Sequence, residues 1–294
     1  MRIDLRHLKA YVAVAELLHF RRAAERLNVA QPALSRTIVQ LEDAIGEALL
    51  VRNNRQVQLT VPGEVFLEEC YVILRQVDDA VTRTQRAGRG EIGRLSVGYT
   101  DFAITGGLPK ILEGFRLLYP DVQFDMHFGS TAQQLQELTE DRLDIGFITG
   151  PNLTPGIMSL PIQEDRFIAV VSERHRLADR SSIDLAELAT EPFILGNRDM
   201  WQHFRRRLDA LCVEAGFLPR VAQEAFNSEG VFGFVASDFG VTVHLECAHN
   251  YVRKGVRLLP LEDVNASLVT EVAWKDQPLS AVQEAFLTSL KGMV

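Results

Sequence analysis

The sequence predicts an α/β protein with an N-terminal, all-α-dominated winged helix-turn-helix. Three observations carry this. Residues 20–63 read as two short helices joined by a tight turn and followed by a basic hairpin. Residues 64–87 contain neither Pro nor Gly and repeat apolar side chains at heptad spacing, as a long linking helix does. Beyond a glycine-rich break at 88–93, apolar strands alternate with amphipathic helices to the end of the chain.

The first helix follows from Leu5, Leu8, Val12 and Ala15, spaced to form one apolar stripe. Ala23, Ala24 and Leu27 face inward on a second helix, where small side chains let another helix cross closely. Asn28 stands where the turn needs a left-handed residue, a conformation Asn tolerates. Gln31-Pro32 opens the third helix, because Pro suits a first turn. Leu34, Ile38, Leu41 and Ile45 are its buried face. Its outer face offers Gln31, Pro32, Ser35, Arg36, Thr37 and Gln40 to base edges and phosphates. Val51, Val57 and Leu59 read as paired strands with a turn at Asn53-Asn54. Arg52, Asn54 and Arg55 at that tip, with Arg22 on the second helix, are the candidate phosphate contacts.

Charge distribution agrees with a nucleic-acid reading head. The chain carries a net −8, yet residues 1–60 hold nine Lys/Arg against six Asp/Glu. No apolar run reaches the roughly 18 residues of a membrane span, and the N-terminus is not patterned as a secretory signal. Three cysteines, Cys70, Cys212 and Cys247, do not make a disulfide framework, which fits a reducing cytoplasm.

The stretch RAAERLNVAQPALSRTIVQLEDAIGEALLVRNNRQVQLTVPGEVFL resembles the winged helix-turn-helix of LysR-type transcriptional regulators. That family usually has Ser or Thr capping the recognition helix where Ala30 stands here. A missing cap of this kind costs about 1 kcal/mol. The resemblance implies a DNA-binding regulator of transcription, not an enzyme and without a cofactor. It binds a partly palindromic site in double-stranded DNA and answers to a small organic effector. It also implies a homodimer through the linker helix, a homotetramer, and RNA polymerase as a further partner, with no membrane association.

Pro62-Gly63 reads as the end of the hairpin, with residues 62–92 as linker helix and hinge. Phe66, Cys70, Ile73, Val77, Ala80, Thr84 and Ala87 form the expected dimer seam, with Leu67, Leu74 and Val81 as a second stripe. Packing of this helix against its own domain is the alternative.

In the body, RLSVGY at 94–99, residues 122–128 and LDIGFIT at 143–149 read as strands, and a parallel arrangement is expected. A second set covers 167–172, a helix around 201–215, 226–237 and 240–244. A last strand at 268–274 precedes a helix at 279–290 that should return to the first half. This body resembles the two-subdomain, periplasmic-binding-protein-like effector domain of the same family. The expected subdomains are 93–162 with 268–294, and 163–267. The effector is then expected between them, at Thr100, Asp101, Phe102, Ser130, Thr131, Phe147, Thr149, Asn197, Phe226 and Asn227. Hydroxyls at helix N-termini suit an anion, so Ser130 and Thr131 fit. Asp101 would repel one unless it turns away.

Other signals are weaker. His244, Glu246, Cys247 and His249 have a ligand-like spacing, but a strand followed by a helix would aim them apart. Cys212 and Cys247 leave a redox-sensing regulator open, and a ligand-independent DNA-binding protein is the other alternative. The run Arg205-Arg206-Arg207 reads as a solvated helix face. No nucleophile elbow, P-loop or zinc-protease motif is present.

Overall fold

The computed structural model describes residues 3–52 and 57–290. The chain divides into two compact units, residues 1–86 and 87–294.

In the first unit, α1 (Leu5–Leu17), α2 (Phe20–Leu27) and α3 (Gln31–Ile45) precede a hairpin of β1 (Leu50–Arg52) and β2 (Val57–Leu59), then α4 (Val61–Gly88). Asp4 caps α1 by accepting from the Arg6 and His7 amides. The α1 face that packs inward is centred on Tyr11 and Val14, both fully buried, whereas Leu5 is largely exposed. Asn28 is left-handed at φ 53° and accounts for the tight turn after α2. Ala30 precedes α3 with no side-chain cap, as its chemistry requires. Glu42 of α3 accepts from the Leu49 and Leu50 amides, at 3.0 and 3.1 Å, and so fixes the start of the hairpin. β1 and β2 pair antiparallel with Arg52 opposite Val57. The predicted turn at Asn53-Asn54 and the tip residue Arg55 lie outside the described residues.

Pro62 and Gly63 do not end an element. They belong to the first turn of α4, where Pro costs no hydrogen bond. Gly63 is needed because a Cβ there would sit 2.1 Å from the Leu49 carbonyl oxygen and 2.8 Å from the Tyr11 hydroxyl. That hydroxyl donates to the Gly63 carbonyl at 2.7 Å.

The second unit begins with β3 (Ile92–Tyr99), α5 (Asp101–Thr105), α6 (Leu108–Leu118), β4 (Asp121–Phe128), α7 (Thr131–Thr139) and β5 (Ile145–Thr149). The 16-residue β6 (Ile157–Ser172) follows, then β7 (Pro192–Gly196), α8 (Gln202–Glu214), β8 (Arg220–Ala225), α9 (Ser228–Ala236) and β9 (Thr242–Leu245). A 3₁₀ segment at Glu246–Tyr251, β10 (Val256–Pro260), β11 (Ser267–Lys275) and α10 (Ala281–Leu290) complete it. The strand order β10-β6-β11-β5-β3-β4 forms one sheet, with β9 also on β6, while β7 and β8 pair separately. Pairing is mixed. β3 is parallel to β4 and β5, but β11 runs antiparallel to both β5 and β6. Alternation of strands with helices does not extend to β6 and β11, which cross the sheet without a helix between them and their neighbours.

Two large apolar cores result, with a smaller cluster of Leu138, Leu143, Ile148, Ile157 and Ala273 beside them. One gathers Leu95, Phe115, Phe147 and Phe286, with α10 returning onto β3 and α6. The other gathers Phe167, Phe193, Phe204 and Phe232. β6 serves both, since its first half pairs with β11 and its second half with β9 and β10. Within 88–93 only Arg89–Glu91 lies outside helix and strand. Gly90 there has φ +72° and abuts the Ala281 carbonyl, a place no Cβ could occupy.

Candidate DNA-reading surface and effector cleft

On the first unit, α3 turns Leu34, Ile38 and Leu41 into the core. The same periodicity leaves Gln31, Pro32, Arg36 and Gln40 exposed and Ser35 and Thr37 half-exposed. Thr37 spends its hydroxyl on the Ala33 carbonyl at 3.1 Å, which leaves it an acceptor's role toward a base. Arg22 on α2 is exposed, and neither it nor Arg36 enters an ion pair among the described residues. The neighbouring Arg21 and Arg26 are by contrast paired, with Glu25 and Glu16. Tyr71 of α4 also donates to Glu16, at 2.8 Å. Sequence alone did not separate the paired arginines from the free ones. Of Arg52 the backbone is described, and Asn54 and Arg55 are outside the described residues.

The linker helix departs from the expected seam. Cys70 is fully buried in the core of its own unit, and Phe66 packs on Tyr11 at 5.4 Å. Exposed apolar side chains on α4 are Val61, Val65, Tyr71, Val72, Ile73 and Val81, with Ala80 and Ala87 of the expected seam. Its first turns therefore serve the head, while Ile73, Ala80, Thr84 and Ala87 of the expected seam stay exposed.

In the second unit, Thr100 and Ser130 cap α5 and α7, accepting from the Ala103 and Gln133 amides. The Thr131 hydroxyl accepts from the Thr149 amide at 2.9 Å. Ser130 opens onto a cavity of about 580 Å³ whose other wall is α8 and the segment before it, with Arg198, Asp199, Gln202, Arg205 and Arg206. Asn197 stands beside this wall, its carbonyl-type oxygen taken by the Asp199 amide at 2.8 Å. Arg205 is not the solvated residue its Arg-Arg-Arg context suggested. It is 4% exposed, donates to the Gly196 carbonyl at 3.1 Å and pairs with Glu224. The register Trp201, Phe204, Leu208, Leu211 puts position 205 on the inner face, and that was the available signal.

Several expected cleft residues also have structural roles. Phe147 is fully buried in the first core. Phe102 lies in the second core, with Trp201 at 4.8 Å and Phe204 at 4.9 Å, although it follows a strand of the first half. Thr149 is buried at the end of β5. Phe226 is exposed and meets Phe128 at 5.6 Å. Asn227 caps α9 through the Gly230 amide.

Asp101 does turn away from the Ser130 cavity, though not to cap α5. Its carboxyl accepts from the Ser228 amide at 2.7 Å and meets the Ser228 hydroxyl at 2.5 Å. That hydroxyl in turn contacts His244 Nε2 at 2.7 Å, and His244 Nδ1 faces the Leu245 carbonyl at 3.2 Å. Burial pushes Asp101 up and His244 down to about 4. Asp101, Ser228 and Asn227 also border a second groove of about 820 Å³ with Lys110, Gln163 and Tyr251. Ser228 and His244 were not foreseen as partners, because they meet Asp101 only through tertiary packing. With both ring nitrogens engaged, His244 is unavailable to the Cys247–His249 cluster.

All three thiols are buried and free. Burial pushes Cys70 and Cys212 up to about 12 and raises Cys247 as well. No helix among the described residues is long and apolar enough to cross a membrane.

Comparison with known proteins agrees with this architecture. Residues 5–64 match the model of the bacterial regulatory helix-turn-helix proteins of the lysR family, and residues 88–294 match the LysR substrate binding domain. The regulator AlsR of Bacillus subtilis (strain 168) is 35% identical over 240 residues, covering 82% of this chain and 80% of its own. The Hca operon transcriptional activator HcaR of Escherichia coli (strain K12) is 31% identical, covering 97% and 96%. The fold is that of CbnR, a LysR family transcriptional regulator, with a TM-score of 0.87 at 23% identity over 98% of this chain and 100% of that one. Full-length BenM gives 0.62 at 25% identity over 99% and 96%. The chain belongs to the LysR family of DNA-binding transcriptional regulators, with a two-subdomain substrate-binding body.

Proposed function

We propose that this regulator reads the major groove with Gln31, Pro32, Ser35, Arg36, Thr37 and Gln40, and holds the flanking phosphates with Arg22 and the hairpin residues Arg52, Asn54 and Arg55. The observation that carries the reading is the unpaired, exposed polar face of α3 above a fully apolar inner face. Arg36→Ala is expected to weaken operator binding by about 1–3 kcal/mol, roughly five- to 150-fold, for a lost guanidinium contact. Its thermal midpoint should not change. Gel shifts on DNA upstream of its own and adjacent genes measure this. Unchanged affinity would overturn the groove assignment.

The effector in this reading is a small organic anion in the Ser130 cavity. Support comes from the α7 N-terminus, which favours negative charge, and from Arg198 and Arg206 on the facing wall. Asp101, which argued against an anion in the sequence, is occupied by Ser228. Calorimetric titration of small carboxylates against their amides tests this. Binding of the carboxylate that is lost in Arg206→Ala supports it, and equal binding of the amide overturns it.

The protein on this reading works in the cytoplasm as a homodimer paired through α4, assembling further to a tetramer on a partly palindromic site. CbnR has been crystallised with its target DNA, which supports the DNA-bound form. No catalytic step is invoked. In the order Asp101–Ser228–His244 the serine lies between acid and base, so the imidazole that would take its proton has no carboxylate behind it. The redox alternative is disfavoured by the raised thiols, which hold little thiolate at neutral pH.

A further inference from the structure

The contact between Asp101 and Ser228 joins the two halves of the body. Asp101 opens α5 directly after β3, a strand of the first core, on a helix that also carries Ala103 in the first core and Phe102 in the second. Ser228 opens α9, and His244 lies on β9, both in the half built on the second core. All three residues are buried, His244 and Ser228 to 2% exposure or less. The imidazole is ringed by Phe232 at 5.0 Å, Phe102 at 5.2 Å and Trp201 at 5.5 Å, none of which can balance a charge by ion pairing.

Counting hydrogens along this chain gives a definite result. The Leu245 carbonyl only accepts, so for the 3.2 Å contact to be a hydrogen bond His244 Nδ1 carries the hydrogen. One hydrogen must then lie between Nε2 and Ser228 Oγ, and another between Oγ and the Asp101 carboxyl. The serine supplies one of the two. The other is a proton held by Asp101 as an acid, or by His244 as an imidazolium. Without it, either one contact of the chain has two acceptors and no hydrogen, or the His244 tautomer reverses and Nδ1 loses the Leu245 carbonyl. Burial, which raises Asp101 and depresses His244, favours the uncharged arrangement.

We propose that Asp101, Ser228 and His244 form a proton-dependent latch, in which one proton shared along the chain holds the two halves of the body together and is released when they part. Other ionisable groups facing it are the Cys247 thiol of the 3₁₀ segment and Asp165 on β6, the latter held by Gln163 at 2.6 Å. Lys110 and Glu113 on α6 and Glu229 on α9 border the same groove as Asp101. Once the halves part and water enters, Asp101 returns toward its ordinary 3.8 and His244 toward 6.5. Below pH 6.5 the parted chain then still holds one proton, on His244, and parting is pH-independent down to about pH 4. Above 6.5 it holds none, so parting releases one proton until Asp101 ionises in the closed state. The opening constant therefore rises about tenfold per pH unit in that window.

Hydrogen–deuterium exchange of the full-length protein over residues 226–232, corrected for the chemical rate at each pH, reads this opening at the Ser228 amide. The wild type is expected to be flat from pH 5.5 to 6.5 and to rise above 6.5, by at most about tenfold per unit, until Asp101 ionises in the closed state. Asp101→Asn, which has no proton to release, should be flat from pH 7 to 8 and fall from pH 5.5 to 6.5, where parting lets His244 take up a proton, and Ser228→Ala should open more at every pH. A flat wild type, or an Asn variant with the wild-type slope, would overturn the latch. Nitrogen-15 spectra of histidine in the unsubstituted protein give a second readout that does not depend on a variant folding. Protonated Nδ1 on His244 at pH 7 is expected, and a neutral ring protonated at Nε2 alone refutes the proton count.

Discussion

Ala30 shows how one residue sets a local energy. It stands at the N-cap of α3 with extended backbone, φ −70° and ψ 135°, the geometry a capping Ser would use. The exposed Ala leaves the first amides of the helix to water. Ala30→Ser is expected to raise stability by about 1 kcal/mol, seen as a higher midpoint in urea unfolding of the full chain. A midpoint equal to wild type would mean that the backbone is not preset for the cap. The thiols give a second expectation at this scale. A thiol raised by burial reacts only when thiolate forms, so Cys70, Cys212 and Cys247 should resist iodoacetamide in the native protein between pH 7 and 8. All three should alkylate in denaturant, and mass spectrometry of both samples decides the point. Rapid native labelling of Cys212 or Cys247 would restore the redox alternative.

Among the elements, α4 has the most to separate. Its sequence signal was a heptad, and heptads do not say which partner they face. Cys70 and Phe66 face the head, because Gly63 lets the helix approach the Leu49 backbone closely enough for Tyr11 to bond its first turn. Gly63→Ala is expected to cost about 1–3 kcal/mol or more, since the obstructing atom is a backbone carbonyl that cannot rotate aside. A thermal melt within a degree of wild type would contradict this packing. The recognition helix was legible in full, since Leu34, Ile38 and Leu41 alternate with polar residues at a single period. β7 and β8 were not. Pro192–Gly196 is a short apolar run without alternation, and Arg220–Ala225 is polar and mostly exposed. Neither carries a periodicity that marks a strand, and each becomes one only by pairing with the other.

For the molecule as a whole, the proposed dimer would rest on the exposed face of α4 that carries Ile73, Ala80, Thr84 and Ala87. Ile73→Asp with Ala80→Asp should shift the protein from dimer to monomer in sedimentation velocity and weaken operator binding, because single heads lose the gain from two linked half-sites. A dimer that survives both changes would place the interface elsewhere. The body shows the same dependence on long-range contact. Asp101 was legible as an anomaly for an anion site, and its resolution was not, because Ser228 lies 127 residues away in the chain.

Local chemistry therefore determined the head by itself. The helix periods, the left-handed Asn28, the first-turn Pro32 and the missing cap at Ala30 all involve residues within a few positions of one another, and backbone geometry propagates over that distance without help. Tertiary structure alone decided which face of α4 is free, that Phe102 crosses to the second core and that Asp101 meets Ser228 and His244. Those outcomes depend on which surfaces exclude water together. Exclusion is a property of packed elements, and a linear sequence does not hold it.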